Sequence, residues 1–297
     1  MQLWANNKIR LLITGVCNAH CPHCHNEGVN ENAKFIPLPL VEKIVALAKR
    51  SGQPVTDATI SGGEPLLHPK VVEIASRLAQ VASRITLSTN ASRLTPERAQ
   101  ALVKAGVSKF RIDLDPFRMT GKKWTVAGLN VARLLKAVSV ARDAGAQVAF
   151  NTVLSAYSDE QLRLALSIAA ENKIGIKCFE RVLPDELGVF RPAPDMQRIL
   201  FDQILESLFG RVQIVRDTQS GDITYSCPGF KVRYCELLCL HGCCGYTGTR
   251  IEPNGFVSAC MNRLNGPRIS IDETLDRTAE ILAEAVSAGC VLSVNHG

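Results

Sequence analysis

The chain has 297 residues, 46% of them apolar, with a net charge of +6 and eleven cysteines. That length supports one large domain or one domain with a sizeable extension, and no stretch approaches the ~18 consecutive apolar residues of a membrane span. Met1-Gln-Leu-Trp-Ala-Asn-Asn-Lys8 lacks a signal-peptide apolar segment and the positive charge forms no basic run, so a soluble cytoplasmic protein without a membrane or nucleic-acid partner is expected. The charge slightly favours an anionic small substrate, and closely spaced cysteines favour metal ligation over a disulfide framework.

From residue 8 to about 181, short β-prone runs alternate with amphipathic stretches in six units, with strands expected at 8–14, 56–61, 83–88, 108–114, 146–153 and 174–181. Leu40, Val41, Ile44, Val45, Leu47 and Ala48 recur at helical spacing, as do Val71, Val72, Ile74, Ala75, Leu78 and Ala79. Thr95-Pro96 is an N-cap signal, Gly106 a stop, and Ser158 with Gln161 a capping box. This alternation implies parallel strands with right-handed crossovers, as an open doubly wound sheet or a partial barrel. In both, the carboxyl ends of the strands form the reaction face.

Cys17, Cys21 and Cys24 follow the first strand directly. Three thiolates can hold three irons of a four-iron, four-sulfur cluster, and because the next cysteine is Cys178, the local supply leaves one iron open for chemistry. A zinc loop assisted by His20, His23 and His25 is the competing reading. Ser61-Gly-Gly-Glu-Pro65 ends the second strand on the same face; its glycines permit close backbone approach, and Glu64 can accept from an ammonium group. Other strand ends carry Ser88 and Asn90, Asp113 and Asp115, Asn151, and Cys178 with Glu180, each of which also reads as a cap or turn residue.

Past residue 182 the pattern changes. Pro184, Pro192 and Pro194 mark a loop, Met196 to Phe209 a further helix, and Val212–Val215 with Ile223–Tyr225 a hairpin around Ser220-Gly-Asp222. Cys227, Cys235, Cys239, Cys243, Cys244 and Cys260 then cluster, the last behind a Pro253-Asn-Gly255 hairpin signal. A zinc knuckle and a second iron–sulfur site both remain open on spacing.

Cys17-x3-Cys21-x2-Cys24 after a first strand, followed by Gly62-Gly-Glu-Pro65, resembles the radical S-adenosylmethionine enzymes, with His23 where relatives usually carry an aromatic residue. Cys244-x10-Gly255-x4-Cys260 resembles their twitch and SPASM auxiliary-cluster extensions, the shorter twitch form being the better match. The resemblance implies an α/β fold: a partial (β/α)6 TIM-type barrel over 1–183 and a small hairpin/helix auxiliary-cluster extension over 184–297. It implies two four-iron clusters, one on Cys17, Cys21 and Cys24, and one drawn from Cys235, Cys239, Cys243, Cys244 and Cys260. S-adenosylmethionine would be held by Gly62, Gly63, Glu64, Ser88, Asn90, Asp113 and Asn151, with Cys178 and Glu180 as catalytic candidates. Asp113 falls where relatives often carry serine, and Asp115 where they often carry aspartate.

The implied activity is reductive cleavage of S-adenosylmethionine to a 5′-deoxyadenosyl radical that abstracts hydrogen from a small polar substrate, with flavodoxin or ferredoxin as external electron donor. Over most of its length the chain is most similar to the molybdopterin-precursor cyclase-like branch. His241 replaces a paired cysteine, and the chain ends Asn295-His-Gly297 where that cyclase ends in a Gly-Gly pair, so molybdopterin synthesis is not assigned at this stage. Peptide modification ranks second, because the chain begins almost at the first strand. A non-enzymatic iron–sulfur or zinc protein is the reading outside the class.

Overall fold

The computed structural model describes residues 1–19, 21, 35–114, 118–120, 123–125, 131–154, 159–184, 190–192, 198–217, 222–235, 248–260 and 266–288. Six strand–helix units run through the first two thirds of the chain. They are β1 (Lys8–Leu12) with α1 (Leu38–Ser51), β2 (Asp57–Ser61) with α2 (Val71–Leu78), and β3 (Ile85–Thr89) with α3 (Pro96–Lys104). β4 (Val107–Asp113) with α4 (Val131–Asp143), β5 (Gln147–Leu154) with α5 (Asp159–Glu171), and β6 (Ile176–Glu180) with α6 (Arg198–Phe209) complete them.

Helix ends follow local chemistry. α3 starts where the Thr95 side chain accepts from Arg98 N at 3.3 Å, with proline in the first turn, and α1 stops at Gly52, whose φ of 63° is the left-handed conformation glycine tolerates. Ser158 of the expected capping box lies outside the described residues, as does Asp115.

The strands after α6 are β7 (Gln213–Arg216), β8 (Ile223–Cys227), β9 (Phe230–Cys235), β10 (Thr249–Ile251) and β11 (Val257–Ser258). All eleven form one sheet, ordered β7-β8-β9-β6-β5-β4-β3-β2-β1-β10-β11. β1 to β6 are mutually parallel, as βα alternation requires, which gives the partial TIM-type barrel wall. The section after residue 184 extends that wall: β9 pairs parallel with β6, Arg233 opposite Lys177, and β10 pairs parallel with β1, Arg250 opposite Arg10. The β7–β8 and β10–β11 hairpins are antiparallel, as the turn signals predicted.

Period-two alternation separates the two faces of this wall. Ile9, Leu11, Ala58, Ile60, Ile85, Leu87, Phe110, Ile112, Phe150, Ile176, Cys178, Val232 and Tyr234 belong to the apolar core beneath the helices. The residues between them, Arg10, Ser61, Ser88, Arg111, Asn151, Lys177 and Arg233, therefore point to the concave face. α6 anchors the C-terminal strands. Phe201 stacks 4.8 Å from Tyr234 and 5.8 Å from Tyr225, whose hydroxyl donates to Asp202.

Truncating fully buried Phe201 to alanine removes the aromatic that holds β8 and β9 to α6. Phe201→Ala should lower unfolding stability by about 3 to 5 kcal/mol in a denaturant titration; a loss below about 1 kcal/mol would contradict this packing.

Candidate active site

The carboxyl end of β1 leads through fully buried Thr14 to Cys17. Here the chain meets the turn after β2 backbone to backbone. Gly63 N donates to Thr14 O at 2.7 Å and Glu64 N donates to Val16 O at 2.9 Å. A Cβ on Gly62 would collide with the Thr14 carbonyl, and one on Gly63 with the Val16 carbonyl. Gly62 also has φ of 134°, a conformation that strains L side chains. The two glycines thus let the turn lie against the cysteine loop, a requirement internal to the fold and separate from ligand approach.

The Glu64 side chain is directed inward. It is buried, accepting from Leu66 N at 3.0 Å, Thr89 Oγ1 at 2.6 Å and Asn90 N at 2.7 Å. Burial pushes its carboxyl above the usual range, against the opposing effect of these donors. Its visible work is to tie the end of β2 to the end of β3. Asn90 is likewise engaged: its Oδ1 accepts from Ser92 N at 2.8 Å and its Nδ2 donates to Asn18 Oδ1 at 3.0 Å.

Ser88, Asp113 and Asn151 stand on the concave face. Asp113 is opposite Asn151 in the β4–β5 register, and Leu114 N donates to Asn151 O at 2.7 Å. Asn151 Oδ1 is buried without a hydrogen-bond partner among the described residues, an acceptor that a bound donor would satisfy. Cys17 and Cys21 are half-buried in the loop, and Cys17 Sγ accepts from Ala19 N at 3.4 Å, a contact that suits a thiolate ligand. Cys24 lies outside the described residues. The cysteine loop, the glycine turn and the orphan Asn151 acceptor therefore suit an iron–sulfur cluster with an S-adenosylmethionine beside it.

The pair Cys178 and Glu180 departs from the expectation of a reacting pair. Cys178 is fully buried in the apolar core, on the helix-facing side, where burial pushes its thiol well above its ordinary value. Glu180 shares that phase and accepts from Tyr234 Oη at 2.8 Å. The concave face of β6 instead presents Lys177 and Phe179, with the Lys177 ammonium 4.8 Å from the Phe179 ring centre.

Lys177 belongs to a group of cations that lie outside the cysteine and glycine motifs. Burial depresses Arg111, and Arg10 and Arg233 depress it further; burial also depresses Lys177, with Arg233 and Arg111 adding to the effect. Arg250, buried, lies opposite Arg10, whose Nη2 donates to Ser61 Oγ at 3.3 Å. Asp222 partly offsets the charge, 2.6 Å from Arg233 and 4.0 Å from Lys177. Single cations at alternate positions of apolar strands, as in Lys109-Phe-Arg111 and Lys231-Val-Arg233, were the available sequence signal.

Of the C-terminal cysteines, Cys235 ends β9 as a buried thiol beside Lys177 and Asp222, pushed up to about 12 chiefly by burial. Cys260 is buried after β11, and Cys239, Cys243 and Cys244 lie outside the described residues. Among the described residues, no three His, Cys, Asp or Glu side chains converge on a preformed metal site.

A parallel wall with a cysteine loop at its carboxyl edge is the frame of an enzyme that cleaves S-adenosylmethionine from an iron–sulfur cluster. Residues 11–167 match the model of the Radical SAM superfamily, and the chain belongs to that family. Among relatives, it is 25% identical over 266 residues to a GTP 3',8-cyclase of Alkaliphilus metalliredigens, covering 86% of this chain and 81% of the relative. A probable GTP 3',8-cyclase of Pyrococcus horikoshii is 28% identical over 263 residues, with 86% and 83% covered. Among solved structures, Streptococcus suis SuiB bound to its precursor peptide SuiA superposes with a TM-score of 0.65 at 18% identity. The match takes in 91% of this chain but spans only 63% of SuiB, and it speaks to the fold. The chain is thus an enzyme that uses S-adenosylmethionine and a four-iron, four-sulfur cluster. None of its described helices is long and apolar enough to cross a membrane.

Two substitutions test this geometry. Gly63→Ala should abolish iron uptake at the first cluster, because its Cβ meets the Val16 carbonyl. Cys178→Ala should retain cluster and turnover, at a stability cost of about 1 kcal/mol. Loss of turnover in folded, iron-loaded Cys178→Ala would restore that residue to the reaction.

Proposed function

We propose that this enzyme is a cyclase of the GTP 3',8-cyclase type, acting on a purine nucleoside triphosphate, with GTP as the substrate. The observation that carries the reading is the charge of the concave face. Arg10, Lys109, Arg111, Lys177, Arg233 and Arg250 stand on strand positions of one phase, against Asp57, Asp113 and Asp222. Burial, with neighbouring cations adding to it, lowers Lys109, Arg111 and Lys177, so this face favours an entering anion, and a triphosphate supplies about four charges. The names of the relatives, which align over most of their own length, point to the same substrate. His241, the departure from the cyclase pattern, lies outside the described residues.

In this reading Cys17, Cys21 and Cys24 hold the radical-generating cluster, and Cys244 and Cys260, with one or two of Cys235, Cys239 and Cys243, hold the auxiliary one. The backbone of Gly62 and Gly63, Ser88, Asp113 and the Asn151 amide line the place of S-adenosylmethionine, while Glu64 and Asn90 shape it. Once bound and reduced, the cofactor pair supplies a hydrogen-atom abstraction. The protein's own contribution is to fix the triphosphate on Arg10, Arg111, Lys177, Arg233 and Arg250, so that the ribose faces the carboxyl edge of the wall. Electrons come from an external one-electron carrier such as flavodoxin or ferredoxin, in a cytoplasmic biosynthetic pathway.

Anaerobically reconstituted protein given S-adenosylmethionine, a strong reductant and GTP should form 5′-deoxyadenosine together with a cyclised nucleotide product. Arg111→Ala should raise KM for GTP about tenfold or more, the loss of one charge-assisted phosphate contact worth about 1.5 to 3 kcal/mol. Formation of 5′-deoxyadenosine without consumption of GTP would keep the class and reject the substrate.

A further inference from the structure

Asn18, the residue directly after Cys17, makes two side-chain bonds to the far side of the site. Its Nδ2 donates to Ser92 Oγ at 2.8 Å, and its Oδ1 accepts from Asn90 Nδ2 at 3.0 Å. The amide orientations are dictated by a neighbour: Ser92 N is a fixed donor and occupies Asn90 Oδ1 at 2.8 Å, so Asn90 can offer Asn18 only its NH2 group. The Asn90 backbone N–H in turn donates to Glu64 Oε2 at 2.7 Å, and Glu64 N donates to Val16 O at 2.9 Å. These contacts close a ring, from the cysteine loop through Glu64 and Asn90 to Asn18 and back to the loop.

Inside the ring, Ala19 N donates to Cys17 Sγ at 3.4 Å. Hydrogen bonds to cluster sulfurs stabilise negative charge and raise the reduction potential, and groups that orient a ligand tune it nearly as much as the ligand itself. The N–H in question belongs to the Asn18–Ala19 peptide, so the side chain that pins Asn18 sets its aim.

We propose that Asn18 is a positioning residue for the radical-generating cluster, its clasp on Asn90 and Ser92 fixing the peptide that donates to Cys17. The inference depends on membership of the radical family and stands whether or not the substrate is GTP. Asn18 need not touch S-adenosylmethionine or substrate for this role.

The test uses the full chain, anaerobically reconstituted, and follows the cluster whose EPR signal changes on adding S-adenosylmethionine. Asn18→Ala should lower the midpoint potential of that cluster and speed release of its iron to a ferrous chelator about threefold, the weight of roughly one exposed hydrogen bond. Asn18→Asp should release iron at the parent rate, because a carboxylate accepts from both Asn90 Nδ2 and the Ser92 hydroxyl. Ser92→Ala, outside the loop, should shift release in the same direction as Asn18→Ala and by less, which covers the case of an unstable Asn18→Ala. Parent-like potential and release rate in both alanine variants would overturn the proposal. So would an Asn18→Asp variant that loses iron as fast as Asn18→Ala.

Discussion

The contact on which the site depends is made by backbone alone. Two amides of the turn after β2, Gly63 N and Glu64 N, bond to two carbonyls of the loop after β1, Thr14 O and Val16 O. Unpaired buried amides and carbonyls cost about 1 to 3 kcal/mol each, so this two-rung ladder ties down the start of the cysteine loop, Thr14 to Val16, through the protein's own backbone. Side chains at Gly62 and Gly63 would break it. The Glu64 carboxylate then carries the same order one strand further, to Thr89 and Asn90.

A second constraint, the alternation of side chains across the wall, decides which groups do chemistry and which do packing. Moving one residue along β6 changes a fully buried core thiol, Cys178, into a cation of the concave face, Lys177. The same phase runs through neighbouring strands by register: Asn151 is opposite Lys177, which is opposite Arg233. The cations are thereby gathered from both ends of the sequence, because β9 and β10 join the wall at opposite edges of the six-strand core.

Much of this was legible in the chain itself. The six β-prone runs and their helices have local causes, periodicity and caps such as Thr95-Pro96, and they stand where those signals place them. The long-range pairings were not legible. Nothing within Phe230–Cys235 or Thr249–Ile251 says that they continue a parallel sheet whose partner strands lie 56 and 240 residues earlier. At the site, Cys17, Cys21 and the glycine turn were readable because the motif spacing is itself the constraint. The facing of Cys178 needed a strand phase, which Ile176 and Lys177 supplied once weighed together. Glu64 and Asn90 stand at readable strand ends, but their bonds to Thr89 and Asn18 cross between elements and leave no pattern in sequence.

The glycine turn and the start of the cysteine loop are locked together by the protein itself. Amide hydrogen exchange of the metal-free chain, read at Gly63 and Glu64, tests this most directly. Both amides should be strongly protected before cluster and S-adenosylmethionine are added. Exchange at the rate of an unstructured peptide in the metal-free protein, with protection only after loading, would show that the cofactors build this contact and would contradict the account.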